Sequence, residues 1–131
     1  MKSRNIDIFI SGAGPAGLLA SISFASLGYS VICVDPHKPV THASDAGADL
    51  RTTAFLQPAQ NFMKSLDLWE KLKSYAVPME IMRIIDTAGE NWPSKEKTTK
   101  DFLSSDISDL PFGWNIPNWL LRRAFIEKAS K

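Results

Sequence analysis

Three glycines near the amino terminus have the spacing of a backbone turn that binds a diphosphate. The motif reads Gly12-Ala13-Gly14-Pro15-Ala16-Gly17. In such a turn the first glycine permits a tight bend out of a strand, the second lets the diphosphate approach the backbone, and the third lets a helix pack closely. The start of that helix supplies free amide groups and a partial positive charge. All six residues are therefore candidate cofactor-binding residues.

An acidic residue further along the chain completes the pattern. Asp35 follows at the end of a second apolar run, about 20 residues after the glycines. A carboxylate at this place accepts hydrogen bonds from the hydroxyls of an adenine-bearing ribose, and it disfavours a 2′-phosphate, so NADP is not expected here. The residues thus predict a site for an adenine dinucleotide and leave FAD and NAD open.

The elements that would position this site flank the motif. Ile6–Ile10 is a short β-branched run and is predicted to be a strand buried on both faces, as in a parallel sheet. A helix is predicted after the glycines, with Pro15 in its first turn and Gly28 just beyond its end. Ser30–Val34 is the second predicted strand. The predicted fold class is α/β, with a Rossmann-like βαβ unit and a parallel sheet.

The rest of the chain is predicted to alternate loops, helices and strands. Residues 36–50 are predicted to form a polar loop, and a helix over about 55–66 follows with Pro58 in its first turn. The sequence then predicts a short helix at 68–75 and a strand at 80–86. A solvated hairpin tip or loop is predicted at 93–101, and a further strand at 112–116. Asn118 is predicted to cap a last helix that runs from Trp119 to Ala129.

The composition is typical of a globular protein. Apolar residues make up 44% of the 131-residue chain, charged residues make up 22%, and the formal net charge is +1, so nucleic acid is not expected as a partner. The single cysteine, Cys33, excludes an internal disulfide and is predicted to be a small core residue, and no metal site is expected. No apolar run reaches the roughly 20 residues that span a bilayer. The expected location is the cytoplasm.

Four segments resemble FAD-dependent aromatic hydroxylases, the flavoprotein monooxygenases that include p-hydroxybenzoate hydroxylase. The first is the opening segment, Ile8–Leu18. The other three resemble the ubiquinone-biosynthesis hydroxylases of that family, in the right order: Asp49-Leu50-Arg51-Thr52-Thr53-Ala54-Phe55-Leu56, Met82-Arg83-Ile84-Ile85-Asp86 and Phe112-Gly113-Trp114-Asn115-Ile116-Pro117-Asn118. Many flavoproteins share the glycine motif, whereas the later segments are more specific.

The resemblance implies FAD as the cofactor and, in the complete enzyme, hydroxylation of an aromatic or quinone-type ring with NAD(P)H and oxygen. It also implies that Arg51 contacts FAD near its phosphates, a role that suits the guanidinium fork. The chain departs from the family at Asp35, where glutamate is usual, and at Leu50, where glycine is common. The first change keeps the acceptor role, and the second alters the expected path of the loop.

Members of this family are much longer than this chain, which therefore resembles their N-terminal portion. The predicted division is a βαβ dinucleotide-binding unit at 1–35, a loop with helices at 36–78, strands of a partial substrate-side sheet at 79–116, and a helix at 117–131. No catalytic residue is identified, so the chain alone is not expected to hydroxylate a substrate. Arg122 and Arg123, on the last helix, are expected to face solvent, and the alternative is that one of them approaches the cofactor.

The expected partners follow from the same resemblance. They are a small aromatic or quinone substrate in the complete enzyme, a membrane surface or biosynthetic complex bound peripherally, and further copies of the chain, because an N-terminal portion should expose apolar surface. Two other functions stay open, namely an NAD-binding module of a dehydrogenase and a truncated, non-catalytic remnant. The polar loop and arginine segment after Asp35 disfavour the NAD module, which would continue with further βα units.

Overall fold

The computed structural model describes residues 5–89 and 95–130. Along the described chain the elements are β1 (Ile8–Ser11), α1 (Pro15–Ser26), β2 (Val31–Val34), β3 (Thr52–Leu56), α2 (Gln57–Ser65), α3 (Trp69–Leu72), β4 (Val77–Met79), β5 (Ile81–Ala88), β6 (Lys95–Leu103), β7 (Gly113–Pro117) and α4 (Asn118–Ala129). They form one parallel pair and two antiparallel sheets, which confirms the α/β fold class.

The first three elements form a parallel βαβ unit. β1 pairs with β2 in a register that runs from Ile8 opposite Val31 to Ser11 opposite Val34. The crossover helix α1 has its proline in the first turn, where a missing amide proton costs no intrahelical bond. The prediction that β1 is buried on both faces is wrong, since Phe9 is 67% exposed. In the described chain α1 covers one face of this two-stranded sheet, and the face that carries Phe9 has no such layer.

A three-stranded antiparallel sheet has β7 at its centre, between β3 and β4. Phe55 lies opposite Trp114, and Leu56 lies opposite Gly113. The helix predicted from residue 55 therefore begins later, at Gln57, because the preceding five residues are extended and pair with β7. Pro58 does lie in the first turn of α2, as predicted.

β5 and β6 form an antiparallel hairpin whose side chains are almost all exposed. The stretch 93–101 is solvent-exposed from residue 95 onwards, as predicted, but it belongs to the strand β6 and not to a hairpin tip or loop. Residues 93 and 94 lie outside the described residues. Polar residues dominate β6 because water reaches both faces of the strand. Arg83 and Asp101 face each other across the hairpin with hydrogen bonds of 2.7 and 2.8 Å.

The apolar core lies where the helices meet the three-stranded sheet. α1 packs against α4, and α3 also contacts α4. The buried apolar residues are Leu18, Ile22, Phe55, Met63, Leu66, Leu68, Trp69, Leu72, Ile116, Leu120, Leu121, Ala124 and Phe125. In residues 5–89 and 95–130, none of the helices has the length and apolar character needed to cross a membrane.

Candidate functional site

The glycine turn joins β1 to α1, and each of its three glycines has a different environment. Gly12 has a φ of +109°, a conformation that favours glycine. A Cβ at Gly17 would lie 1.9 Å from the carbonyl oxygen of Gly12, so only glycine lets the helix come this close to the turn. A Cβ at Gly14 would meet no atom within 4 Å. The space in front of Gly14 is thus open to a ligand.

The start of α1 presents amide groups next to this open space. The first bond of the helix runs from the Leu18 amide to the Gly14 carbonyl, at 3.0 Å. The amides of Ala16 and Gly17 precede that bond and have no intrahelical acceptor. Pro15 carries no amide proton at all. This geometry suits an anion, because free amides and the positive end of the helix dipole converge there.

Asp35 lies directly on the turn, although it is more than twenty residues away in sequence. Its Oδ2 accepts a hydrogen bond from the Ala13 amide at 2.8 Å, and its Oδ1 accepts one from the His37 amide at 2.9 Å. The His37 amide and then the Ala13 amide lower the pKa of this carboxyl below its usual range. The carboxylate is therefore ionised at neutral pH, and each of its two oxygens keeps a lone pair for a further hydrogen bond.

Cys33 is half-buried behind the turn rather than fully buried. Its Sγ lies 3.5 Å from the carbonyl oxygen of Gly12. This position fits a small residue that packs beneath the glycine turn.

Arg51 is engaged with a neighbouring carboxylate. Its Nε and Nη2 donate hydrogen bonds of 2.9 Å to the two carboxylate oxygens of Asp49. The Arg51 side chain is 84% exposed, and it is not among the residues that line the cavity beside Gly14. The structure thus places this predicted phosphate ligand in an ion pair with Asp49, with most of its side chain exposed.

Asp49 connects this loop to the last helix. Arg51 and then Asn118 lower the pKa of its carboxyl well below the usual range. The Asn118 amide donates to Asp49 Oδ2 at 3.0 Å, while its carbonyl accepts from Thr53 Oγ1 at 2.6 Å. The prediction that Asn118 caps the helix is wrong. β7 runs straight into α4, so Pro117 occupies the cap position and the Asn118 side chain is free to bridge the loop and β3.

A cavity of about 270 Å³ opens beside the glycine turn. Its lining residues are Ala13, Gly14, Asp35, His37, Lys38, Pro39, Val40, Gly47 and Arg122. The expectation that Arg122 faces solvent is wrong, since its side chain is only 22% exposed. The signal that could have found it is the four-residue spacing from Asn118, which places both residues on one face of α4.

A second cavity of about 530 Å³ lies between the three-stranded sheet and the hairpin. It is lined by Leu56, Pro78, Met79, Glu80, Ile81, Met82, Phe112 and Asn115. Most of these side chains are apolar, so the cavity suits an uncharged ring better than a phosphate. Over the described part of the chain, no group of three or more His, Cys, Asp or Glu residues is arranged to hold a metal ion.

Solved structures of several other proteins share this fold. The chain superposes on p-nitrophenol 4-monooxygenase PnpA from Pseudomonas putida DLL-E4 with a TM-score of 0.62 at 14% identity, covering 100% of this chain and 30% of that one. For the flavin-dependent monooxygenase PieE in complex with FAD and substrate, the TM-score is 0.63 at 17% identity, with coverage of 99% and 23%. For P. aeruginosa PqsL in complex with 2-aminobenzoylacetate, it is 0.59 at 18% identity, with coverage of 97% and 31%.

At these identities the superpositions establish a shared fold and nothing further, and the chain spans between 23% and 31% of the length of the three proteins. No curated protein sequence matches the chain significantly. A family match covers nearly all of it, because residues 5–129 correspond to the FAD binding domain family. The site fits that cofactor, since the open space at Gly14 and the carboxylate of Asp35 suit a diphosphate and its ribose. The chain therefore belongs to the FAD binding domain family, and its cofactor is FAD.

Proposed function

We propose that this chain binds the ADP half of FAD and corresponds to the N-terminal part of a monooxygenase that hydroxylates an aromatic or quinone-type ring. The observation that carries the proposal is the position of Asp35, whose carboxylate accepts from the Ala13 amide at 2.8 Å. A ribose acceptor and a diphosphate-binding turn are thereby adjacent. The open space at Gly14 gives the phosphates access to the backbone.

Each proposed cofactor residue has a separate task. The backbone of Gly12, Ala13, Gly14, Pro15, Ala16 and Gly17 surrounds the diphosphate. Asp35 accepts hydrogen bonds from the ribose. Arg51 contacts a phosphate through the exposed part of its guanidinium group, while its Nε and Nη2 remain bound to Asp49. Bound FAD supplies the redox chemistry, and the protein orients it and limits access of water.

The substrate proposal rests on the second cavity and on the resemblance of three sequence segments. The apolar cavity next to Met82 and Phe112 suits a hydrophobic ring. Residues 49–56, 82–86 and 112–118 resemble ubiquinone-biosynthesis hydroxylases. We therefore propose a quinone precursor as substrate, NAD(P)H as reductant, and peripheral association with a membrane or biosynthetic complex. The division of the chain at residues 35, 78 and 116 belongs to the same proposal.

Titration of the purified 131-residue chain with FAD tests the cofactor site. We expect quenching of flavin fluorescence on binding, displacement of FAD by ADP, and no comparable affinity for NAD. Tighter binding of NAD than of FAD would favour a dehydrogenase module. Absence of binding to either nucleotide would favour a remnant that keeps only the fold.

A second experiment tests the catalytic proposal. We expect the chain with added FAD to oxidise NAD(P)H no faster than free FAD does, because it contributes the adenine end of the cofactor site and no identified catalytic group. Oxygen uptake and product analysis with a phenolic or quinol substrate provide the measurement. Formation of a hydroxylated product by the purified chain would contradict the proposal.

A further inference from the structure

The last helix brings a second arginine to the glycine turn. Arg122 lines the 270 Å³ cavity together with Ala13, Gly14 and Asp35. Its Nε is buried, and within residues 5–89 and 95–130 this atom has no hydrogen-bond partner. Its Nη2 lies 3.8 Å from Asp49 Oδ2, which is an ion-pair distance but longer than a hydrogen bond. Arg122 thus belongs to the wall of the cavity and carries a buried donor that is not satisfied.

The nearby carboxylates are already engaged by other donors. Asp35 accepts from the amides of Ala13 and His37. Asp49 accepts from both arms of Arg51 and from the Asn118 amide. A buried charged donor without an acceptor is unfavourable, so an anion that entered the cavity would satisfy it. Arg51 already donates two hydrogen bonds to Asp49 and does not line the cavity, whereas Arg122 does. Arg122 is therefore the better placed of the two arginines to bind an anion inside the cavity.

The charge balance of the cavity points the same way. A diphosphate bound at Gly14 would lie near the negative charge of Asp35, and like charges repel at short range. The positive end of α1 offsets part of this repulsion. Arg122 adds a full positive charge to the same cavity, and its side chain is mostly buried, so water and salt screen it only in part.

We propose that Arg122 binds the diphosphate of FAD from the side opposite the glycine turn. The inference rests on the proposed FAD binding and adds a phosphate ligand from α4 to it. Asp49 is then a positioning residue, because it orients Arg51 through two hydrogen bonds and Arg122 through its charge. The chemistry recognised is a diphosphate joined to adenosine, so ADP is a sufficient probe.

Isothermal titration of the full chain with FAD, ADP and adenosine tests the proposal. Arg122→Gln is expected to weaken FAD and ADP by the same factor, roughly tenfold or more. Its affinity for adenosine should stay unchanged, and the affinity for ADP should depend less on salt. Arg123→Gln is the matched control on the same helix, because Arg123 lies over the Trp119 ring at 5.3 Å. This control should bind all three probes like the wild type.

The titrations can overturn the proposal in two different ways. If Arg122→Gln binds FAD and ADP as tightly as the wild type, the role of Arg122 is refuted while the FAD site stands. If the wild type binds neither FAD nor ADP, both proposals fail. Circular dichroism shows whether Arg122→Gln is folded. If Arg122→Gln is not folded, NMR of the wild type replaces it, and the arginine Nε–H signal that is missing from the spectrum of Arg122→Lys is assigned to Arg122. This signal should shift when ADP is added and stay in place when adenosine is added. A signal that does not shift with ADP refutes the role of Arg122.

Discussion

Two aspartates near the glycine turn are held by different kinds of donor. Asp35 accepts from the backbone amides of Ala13 and His37, so the chain path of the turn sets its position. Asp49 accepts from the side chains of Arg51 and Asn118, which belong to a loop and to α4. The first carboxylate is therefore fixed by the βαβ unit alone. The second depends on how the last helix docks.

Replacing Asp35 with Asn should separate its binding role from its structural role. One side-chain oxygen becomes an NH2 group, which donates hydrogen bonds and accepts none, so either the Ala13 amide or the His37 amide loses its acceptor. The side chain also keeps only one oxygen that can accept from a ribose hydroxyl. We expect Asp35→Asn to weaken FAD binding by about tenfold or more, as measured by fluorescence titration.

Asp7→Asn is the matched control for this change. Asp7 joins the other end of the same two strands, where its Oδ2 accepts from the Ser30 amide and hydroxyl at 2.8 and 2.6 Å. It should lower stability in a similar way without changing FAD affinity. Equal losses of affinity in both variants would mean that Asp35 acts only through the fold.

The stability of the chain should fall in acid below about pH 4. Hydrogen bonds from Arg51 to Asp49, from Ser30 to Asp7 and from Arg83 to Asp101 lower the pKa of each carboxyl in the folded state. A lowered pKa contributes stability above the unfolded-state value of about 3.9, and this contribution is lost as the pH falls through the folded-state pKa. Melting temperatures should therefore change little between about pH 7 and 5 and fall below about pH 4.

The variant Asp49→Asn tests the assignment of this acid sensitivity. It should start from a lower melting temperature and lose less on acidification, because one linked carboxylate is gone. Thermal unfolding followed by circular dichroism from pH 7 to 2.5 gives both curves. Parallel curves for the variant and the wild type would contradict a contribution from Asp49.

At the scale of elements, two connections shape the site. The glycine turn lets α1 begin immediately after β1, so its free amides open next to Asp35. β7 passes into α4 without a loop, and Asn118 and Arg122 then lie one turn apart on the same helix. Both of these side chains meet Asp49 from that helix. The site is thus formed between the starts of two helices.

Alanine at two glycines of the turn should change stability by different amounts. In Gly17→Ala the new Cβ would collide with the Gly12 carbonyl oxygen at 1.9 Å, so the helix must move and stability should fall by about 1–3 kcal/mol. In Gly14→Ala the Cβ meets no atom within 4 Å and φ is −70°, so folding should be nearly unaffected.

FAD binding provides the second measurement on this pair. The methyl group of Gly14→Ala projects from the backbone that the diphosphate is proposed to approach, and FAD affinity should fall although the melting temperature does not. Normal affinity in Gly14→Ala would place the diphosphate elsewhere.

At the scale of the whole molecule, the described chain exposes many apolar side chains. Phe9 on the uncovered face of the parallel pair and Ile84 and Ile85 on the hairpin are at least half exposed. A parallel sheet is normally covered on both faces. The core around the helices, by contrast, is shielded from solvent by residues of this chain, because Leu121 and Phe125 of α4 are fully buried.

We expect the purified chain to associate through the face that carries Phe9. Phe9→Thr should shift the chain towards the monomer in light scattering and reduce the binding of a hydrophobic dye, since a β-branched polar residue suits an exposed strand. Phe62→Thr is the matched control, because Phe62 is 44% exposed on α2 and lies outside the parallel pair. Equal effects of the two substitutions would show that association does not depend on this face.

The sequence by itself determined the part of the site that is built from near neighbours. The strand, glycine turn, helix and second strand lie within residues 8–34, and each step follows from local backbone chemistry such as the freedom of Gly12 and the missing amide proton of Pro15. The carboxylate of Asp35 could be expected beside the turn because parallel strands end at the same edge of a sheet.

Only the tertiary structure decided the second half of the site. β3 is a strand because it pairs with β7, some sixty residues later, and the same pairing delays the start of α2 to Gln57. The bond between Asp49 and Asn118 joins residues 69 positions apart, and it places Arg122 at the cavity. Such contacts depend on the register and packing of segments that are distant in sequence. The free energy of that packing cannot be predicted from a local pattern of residues.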